Sequence, residues 1–236
     1  CPQETQCEGV CLRGKKGTPV AGNLAVGATR VNFGAAPGDA EGITYSQTEL
    51  DALNSLKALT LTSYSTFDLY GDVSVGGADK YGKPTLQNLT LQGAGLAGLD
   101  NSGKTANLRA AELLIDNPAS VSYGAGGALG DGTLEIKADR LVLGQGNKKI
   151  QGYSTVNVTA NELVGRGTGE TDIAADTFVH VARMSGEKSS NQTLDAIGKL
   201  NATKITADRA LAAVTALGAK WALAGTEVFF DTEATL

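Results

Sequence analysis

The chain has 236 residues, 24.1 kDa, 42% hydrophobic and only 5% aromatic residues, with 31 Gly, 5 Pro and a single His, so it is long enough to bury a sizeable core and needs turns throughout. One histidine, His180, excludes a multi-histidine metal centre and leaves a Ser-His-Asp mechanism only that residue as base. A net charge of −5 is spread along the chain, with Arg13, Lys15 and Lys16 as the longest basic cluster, which predicts no nucleic-acid partner; the absence of a run of about 18 apolar residues predicts no membrane span.

All three cysteines, Cys1, Cys7 and Cys11, fall at the start of the chain. They allow one disulfide with a spare thiol, a metal site short of a fourth protein ligand, or free thiols. An acylated Cys1 is disfavoured by Pro2. Residues 1–55 read as an irregular N-terminal segment carrying this cysteine cluster, with a loop from Gly34 to Gly42 around Pro37.

From residue 56 to 236 the chain reads as β-solenoid repeats, because one template keeps returning: apolar, any, small, any, any, apolar, any, apolar or small. It fits Val26-x-Ala28-x-x-Val31-x-Phe33, Leu91-x-Gly93-x-x-Leu96-x-Gly98, Leu108-x-Ala110-x-x-Leu113-x-Ile115 and Ile136-x-Ala138-x-x-Leu141-x-Leu143. It continues at Val158-x-Ala160-x-x-Leu163-x-Gly165, Ile173-x-Ala175-x-x-Phe178-x-His180 and, weakly, Ile205-x-Ala207-x-x-Ala210; Leu61-x-Ser63 opens a copy stretched by one position to Phe67-x-Leu69. Alternation on either side of a one-position slip describes two short strands joined by a bend, with the small residue at the bend. The starts at Leu61, Leu91, Leu108, Ile136, Val158, Ile173 and Ile205 are unevenly spaced, by roughly 15 to 32 residues, as in a solenoid with variable loops. Asp139, Asn161, Asp176 and Asp208 share one template position, which suits turns that cap their own backbone better than a calcium ladder. Thr206–Gly218 fits either a Thr-capped helix or a further strand, and the continuing template favours the strand.

Several motifs compete with a purely structural reading. Gly98-Leu-Asp-Asn-Ser-Gly103-Lys104-Thr105 matches a phosphate-cradling loop, but only about ten residues separate Thr105 from Asn117-Pro118, too few for the required helix. Gly93-Ala-Gly95-Leu-Ala-Gly98 spells a dinucleotide fingerprint that 31 glycines make commonplace. Asn88, Asn157, Asn191 and Asn201 open glycan-acceptor triplets. His180 is expected at an inward or edge position, and Trp221 with Phe229 and Phe230 to pack the last repeat.

The stretch Leu59-Thr-Leu-Thr-Ser-Tyr-Ser-Thr-Phe-Asp-Leu-Tyr-Gly-Asp72, with Leu134-Glu-Ile-Lys-Ala-Asp-Arg-Leu-Val-Leu143 and Val156-Asn-Val-Thr-Ala-Asn-Glu-Leu-Val164, resembles segments of the filamentous hemagglutinin family, very large bacterial exoproteins exported by two-partner secretion. The resemblance covers roughly residues 56–182. It implies an all-β, right-handed parallel β-helix and a structural shaft or binding segment of a secreted adhesin at the bacterial cell surface. The implied partners are a protein or glycan receptor on host or neighbouring bacterial cells and an outer-membrane transporter. The family's asparagine-rich export domain is not represented, so the chain is expected to be an internal part of a longer exoprotein. No catalytic residue and no cofactor is expected. The alternative is a polysaccharide lyase or hydrolase on the same fold, for which Asp116 with Asp139, or Asp172 with Asp176, would have to stack on neighbouring coils.

Overall fold

The computed structural model describes residues 22–231; Cys1, Cys7 and Cys11 lie outside the described residues. The architecture is a parallel β-solenoid, as the repeat template predicts. The strands are β1 (Asn23–Ala28), β2 (Val31–Gly34), β3 (Ile43–Tyr45), β4 (Ala58–Ser63), β5 (Phe67–Tyr70), β6 (Val73–Val75), β7 (Asn88–Gln92) and β8 (Gly95–Leu99). They continue as β9 (Thr105–Asp116), β10 (Gly132–Leu143), β11 (Gly146–Gln151), β12 (Tyr153–Gly165), β13 (Thr168–Ile173), β14 (Asp176–Gly186), β15 (Asn191–Lys204) and β16 (Lys220–Phe230). One helix, α1 (Gln47–Leu53), is described.

Each coil presents strands to up to three faces. Face one stacks β1, β4, β7 and the C-terminal halves of β9, β10, β12 and β14. Face two stacks β2, β5, β8, β11, β13 and the first half of β15. Face three stacks β6, the N-terminal halves of β9, β10, β12 and β14, and the second half of β15. Ala58, Asn88, Glu112, Arg140, Glu162 and Arg183 lie one above another. One coil therefore takes roughly 20 to 30 residues, an ordinary length for a solenoid repeat.

This register explains the template and corrects it. Leu108, Ile136 and Val158 stack as predicted, with Ala110, Ala138 and Ala160 at the corner between faces three and one. The Val26, Leu61 and Leu91 units instead mark the corner between faces one and two, and the Ile173 unit marks the corner between faces two and three. The two short spacings, from Leu91 to Leu108 and from Val158 to Ile173, are therefore steps between corners and not coil lengths. The true copy after Val158 is Val179-x-Val181-x-x-Met184. Similar bend chemistry recurs at the three corners, where Ala, Ser or Gly usually stands at the turn, although Val181 takes that position in β14.

Ahead of residue 56, β1 and β2 pair in register with β4 and β5. Face three begins with α1, which starts on a capping box in which Ser46 and Glu49 satisfy each other's backbone amides. Gln47 anchors it by exchanging hydrogen bonds with the Ser74 backbone. Residues 205–219 form neither the helix nor the strand considered for that stretch.

The core is a set of inward rows. Phe33 stacks on Phe67 with ring centroids 6.0 Å apart and nearly parallel planes, and on Tyr45 at 6.4 Å. Leu108, Ile136, Val158 and Val179 continue the pattern on face three, all buried. Between the faces lies an apolar void of about 20 Å³, bordered by Ile115, Ile136, Leu141, Val158, Leu163 and Ile173.

Ile136 is 1% exposed, whereas the Lys137 side chain points outward near Glu135. Ile136→Asp, an unpaired charge inside stacked apolar rows, is expected to destabilise by about 3 kcal/mol or more, and Lys137→Asp by less than about 1 kcal/mol. Chemical denaturation of both variants checks the register; equal losses would refute it.

Candidate functional site

The inward rows are consumed by packing, so chemistry must come from the outward rows, the corners and the loops. Three clusters of polar side chains stand out.

The first runs along the corner between faces three and one. Glu112, Arg140, Glu162 and Arg183 occupy the same position in consecutive coils, so the sign alternates up the stack. Arg140 bonds Glu112 at 2.8 Å, Arg183 bonds Glu162, and Glu187 accepts from both Arg140 and Arg166. The Arg166 hydrogen bond is the main reason the Glu187 carboxyl is held below its ordinary value. Strands about 4.8 Å apart would place like charges in repulsion; alternation turns that cost into a network. Sequence reading missed this ladder, although its signal was present as the residue just before each corner Leu or Met.

The second lies on the outside of face two. Register brings Lys149, Asp172 and Asp195 into one row, and Glu170 sits two positions before Asp172. Glu170 is raised above the usual carboxylate value, chiefly by the neighbouring Asp172 charge. This is the closest approach to the paired carboxylates a hydrolytic reading requires, but with different partners. Asp176 begins face three and accepts from the Lys199 amide. Asp116 ends β9 at the corner between faces one and two, whereas Asp139 lies at the opposite corner of the same face, a strand length of about 16 Å away by the rise per residue. Neither expected pair stacks.

The third is buried. Lys148 points inward on β11, 0% exposed, in register with Thr171. Its ammonium donates to the carbonyls of Gly144 at 2.8 Å, Gly146 at 2.6 Å and Gln145 at 3.2 Å, and so closes the turn between β10 and β11. Burial pulls it down to about 8, while the Asp116 and Asp172 charges oppose that shift. Asp116 itself is buried beside Gly144, where any Cβ would collide with its carboxylate.

A fourth feature is a strap. The coil that starts at Glu112 has no strand on face two; β8 pairs directly with β11, and residues 117–131 run outside instead. The strap is fastened where Arg30, Ser65 and Thr66 donate to the Gly124 carbonyl and the Gly126 amide donates to buried Asp68. Arg30 and Asp68 pair at 2.9 Å beneath it. Gly95 makes the direct β8–β11 contact possible: its φ of +133° and its approach to the Lys149 backbone leave no room for a Cβ.

The remaining motifs resolve as structure. Residues 100–104 form a turn between β8 and β9, and a strand rather than a helix follows Thr105. Lys104 folds back onto the Asp100 carbonyl at 2.9 Å, Thr105 N–H is taken by Asp72, and Asn101 is buried, donating to the Gly152 carbonyl at 2.8 Å. Both glycine motifs are thus spent on packing. Asp139 and Asn161 share a corner, but Asp176 lies at another and Asp208 outside every strand; Asn161 donates to Asp208 at 2.6 Å. His180 is neither inward nor at an edge: it faces outward between buried Val179 and Val181, 2.5 Å from the Thr203 hydroxyl. Trp221 packs on the core as expected and donates to the Ser185 carbonyl, Phe230 is partly buried, and Phe229 is exposed.

Among the described residues no helix is long and apolar enough to cross a membrane, and no group of three His, Cys, Asp or Glu side chains has metal-ligating proximity. No protein-family model, curated protein or solved structure matches the chain.

The geometries of Lys148 and Lys104 can each be tested. The folded Lys148 value near 8 lies below the 10.5 of an ordinary lysine, so between those pH values the unfolded chain keeps a proton that the folded chain has lost. Stability should therefore rise with pH across that window, by on the order of 3 kcal/mol, and this rise should vanish in Lys148→Met. Urea denaturation between pH 8 and 10.5 measures it. Lys104→Ala, which removes one half-exposed charge, should cost no more than about 0.5 kcal/mol, and ATP with magnesium should leave the melting temperature of the parent chain unchanged; a nucleotide-dependent rise lost in the variant would restore the phosphate-loop reading.

Proposed function

We propose that the chain is a structural shaft or binding segment of a secreted bacterial surface adhesin, a filamentous exoprotein that attaches cells to host tissue or to one another. The observation that carries this reading is the in-register stack itself: each outward position recurs about every 4.8 Å along one axis, with loops and charge ladders displayed on its sides. A stack of this kind resists bending and repeats its surface chemistry, which favours multivalent contact with a receptor protein or glycan. The likeness of Leu59–Asp72 and of the coils at Leu134 and Val156 to hemagglutinin repeats supports export through an outer-membrane transporter and display at the cell surface.

A second reading, a polysaccharide-active enzyme, rests on Glu170 together with the stacked Asp172 and Asp195 on the outer side of face two, where the Asp172 charge raises the Glu170 carboxyl.

The two separate cleanly. In bacteria carrying the gene, the adhesin reading expects the chain at the cell surface or in the medium, its loss from both when the neighbouring transporter gene is deleted, and competition of cell attachment by the purified chain. Retention inside transporter-competent cells would overturn it. The enzyme reading expects reducing ends or unsaturated products to form from neutral or acidic polysaccharides, with at least a hundredfold loss in Glu170→Gln or Asp172→Asn; no turnover by the parent chain would sink it.

A further inference from the structure

The strap at residues 117–131 is held in a way unlike the strands around it. Strands stack through inward apolar rows, whereas the strap carries only Gly, Ala and Ser at 122 and 124–128 and leaves Gly126, Gly127, Ala128 and Leu129 exposed. Buried asparagines fix its ends: Asn117 exchanges hydrogen bonds with the Val121 backbone at 2.9 and 3.0 Å, and Asn101 Oδ1 accepts from the Asp131 and Gly132 amides at 3.1 and 3.2 Å. Beneath its middle the sheet is already closed, because β8 and β11 pair without it. Lifting the middle of the strap therefore opens no gap between strands.

What holds the middle is a polar cradle that reads main chain. The Gly124 carbonyl oxygen lies 2.5 Å from Arg30 Nη1 and 2.8 Å from each of the Ser65 and Thr66 hydroxyls, and the Gly126 amide donates to Asp68 Oδ2 at 2.6 Å. No strap side chain takes part. One position is sterically specified: a Cβ on Gly126 would stand 2.5 Å from Asp68 Oδ2 and 3.2 Å from Arg30 Cδ. The cradle also has capacity that the strap leaves unused. Three donors meet a carbonyl oxygen that has two lone pairs, and among the described residues Arg30 Nε and, on the strand in register with Asp68, Asn32 Oδ1 are buried without partners. Groups of this kind call for an explanation. Arg30 and Asp68 pair at 2.9 Å and cancel each other's charge, so the cradle suits an uncharged main chain better than an anion.

We propose that Arg30, Ser65, Thr66 and Asp68 form a peptide-binding site, which the strap fills in cis and which an extended segment of another protein takes over when the strap lifts. The ligand class follows from the contacts: a peptide that presents a carbonyl to Arg30, Ser65 and Thr66 and, two residues on, a glycine amide to Asp68. Main-chain hydrogen bonds supply the affinity, and the lack of room for a Cβ over Asp68 supplies the selectivity. The strap acts as a tethered competitor, because its high local concentration keeps the site filled until a ligand displaces it. A segment with exposed residues and few apolar contacts is also where local opening is easiest. This inference goes beyond the adhesin reading and does not depend on it, since the cradle is the same on a shaft and on an enzyme scaffold.

The probe is a capped, fluorescently labelled peptide that copies Val121 to Gly127, titrated into the full chain and followed by anisotropy. Gly126→Leu drives a strap Cβ onto Asp68 and so empties the cradle. The variant should keep the parent's circular dichroism and bind the peptide about tenfold more tightly than the parent or better. A control peptide with Leu in place of its second glycine should bind neither chain. Should the variant unfold, the parent decides: excess copy peptide should speed amide hydrogen exchange across residues 121–127 severalfold, and the control peptide should not. Failure of the copy peptide to bind the folded variant would overturn the proposal, as would equal affinity for parent and variant or binding of the control peptide. With an unfolded variant, exchange in the parent that is indifferent to the copy peptide overturns it equally.

Discussion

Everything in this molecule depends on parallel strands staying in register from coil to coil. A strand on a two-residue side-chain period has only one correct phase, since a shift by one position would send each buried row into solvent. No coil can bury its own inward face, so each depends on the coil above and below. Leu108, Ile136, Val158 and Val179 illustrate the constraint: these side chains come from four different coils, with a full turn of chain between each and the next, and form one buried column. Loop length between strands is almost free, whereas the phase at each corner is not.

That constraint explains where polar groups are tolerated. The ladder of Glu112, Arg140, Glu162 and Arg183 stands at a corner, with Glu162 buried and the other three partly exposed, where alternating sign converts enforced proximity into pairing. Lys148 is a charged group on an inward row, in register with buried Thr171. Its ammonium donates to the carbonyls of Gly144, Gln145 and Gly146, joining the Gln192 amide on the first and the Asn117 main-chain amide on the second to tie down the sharp turn at residues 144–146. Its depressed value measures the cost of that arrangement, and the bonded carbonyls give its benefit. The strap follows the same logic on the outside: where one coil omits its face-two strand, residues 117–131 run over Asp68, whose carboxylate takes the Gly126 amide and pairs with Arg30.

How much of this could be read in the sequence depends on what the template measured. The bend motif of apolar, small and apolar residues detected corners correctly, and so detected a solenoid; it could not say which corner, because all three obey the same steric demand. Phase between corners is fixed by pairing, and pairing leaves no local mark. Leu91 and Leu108 look like consecutive repeats, yet Leu91 stacks under Ile115. The phosphate-like loop shows the same limit from the other side. Glycine, asparagine and lysine at 98–105 serve a tight turn through Asn101 and the Asp100 carbonyl, and only the strand that follows distinguishes that use from nucleotide binding. The acidic row of Glu170, Asp172 and Asp195 was invisible for a simpler reason: Asp195 belongs to the next coil, and it meets the other two only through the register of β13 and β15.

A solenoid separates fold from function more sharply than a globular core does. Inward rows carry the stability and are interchangeable among apolar residues, so they hold little functional information. Outward rows are free of that duty, yet register still sets them in straight lines at about 4.8 Å per coil, which gives even an unremarkable surface residue a repeated neighbour. Among the described residues β16 pairs with β15, and the requirement that inward rows be continued holds through it. The first end meets the requirement in part by laying α1 across one face. At the other side of the described stack, β16 keeps Trp221, Leu223, Val228 and Phe230 in the same rows as the core beneath them, so one phase of inward and outward positions runs from the first described coil to the last.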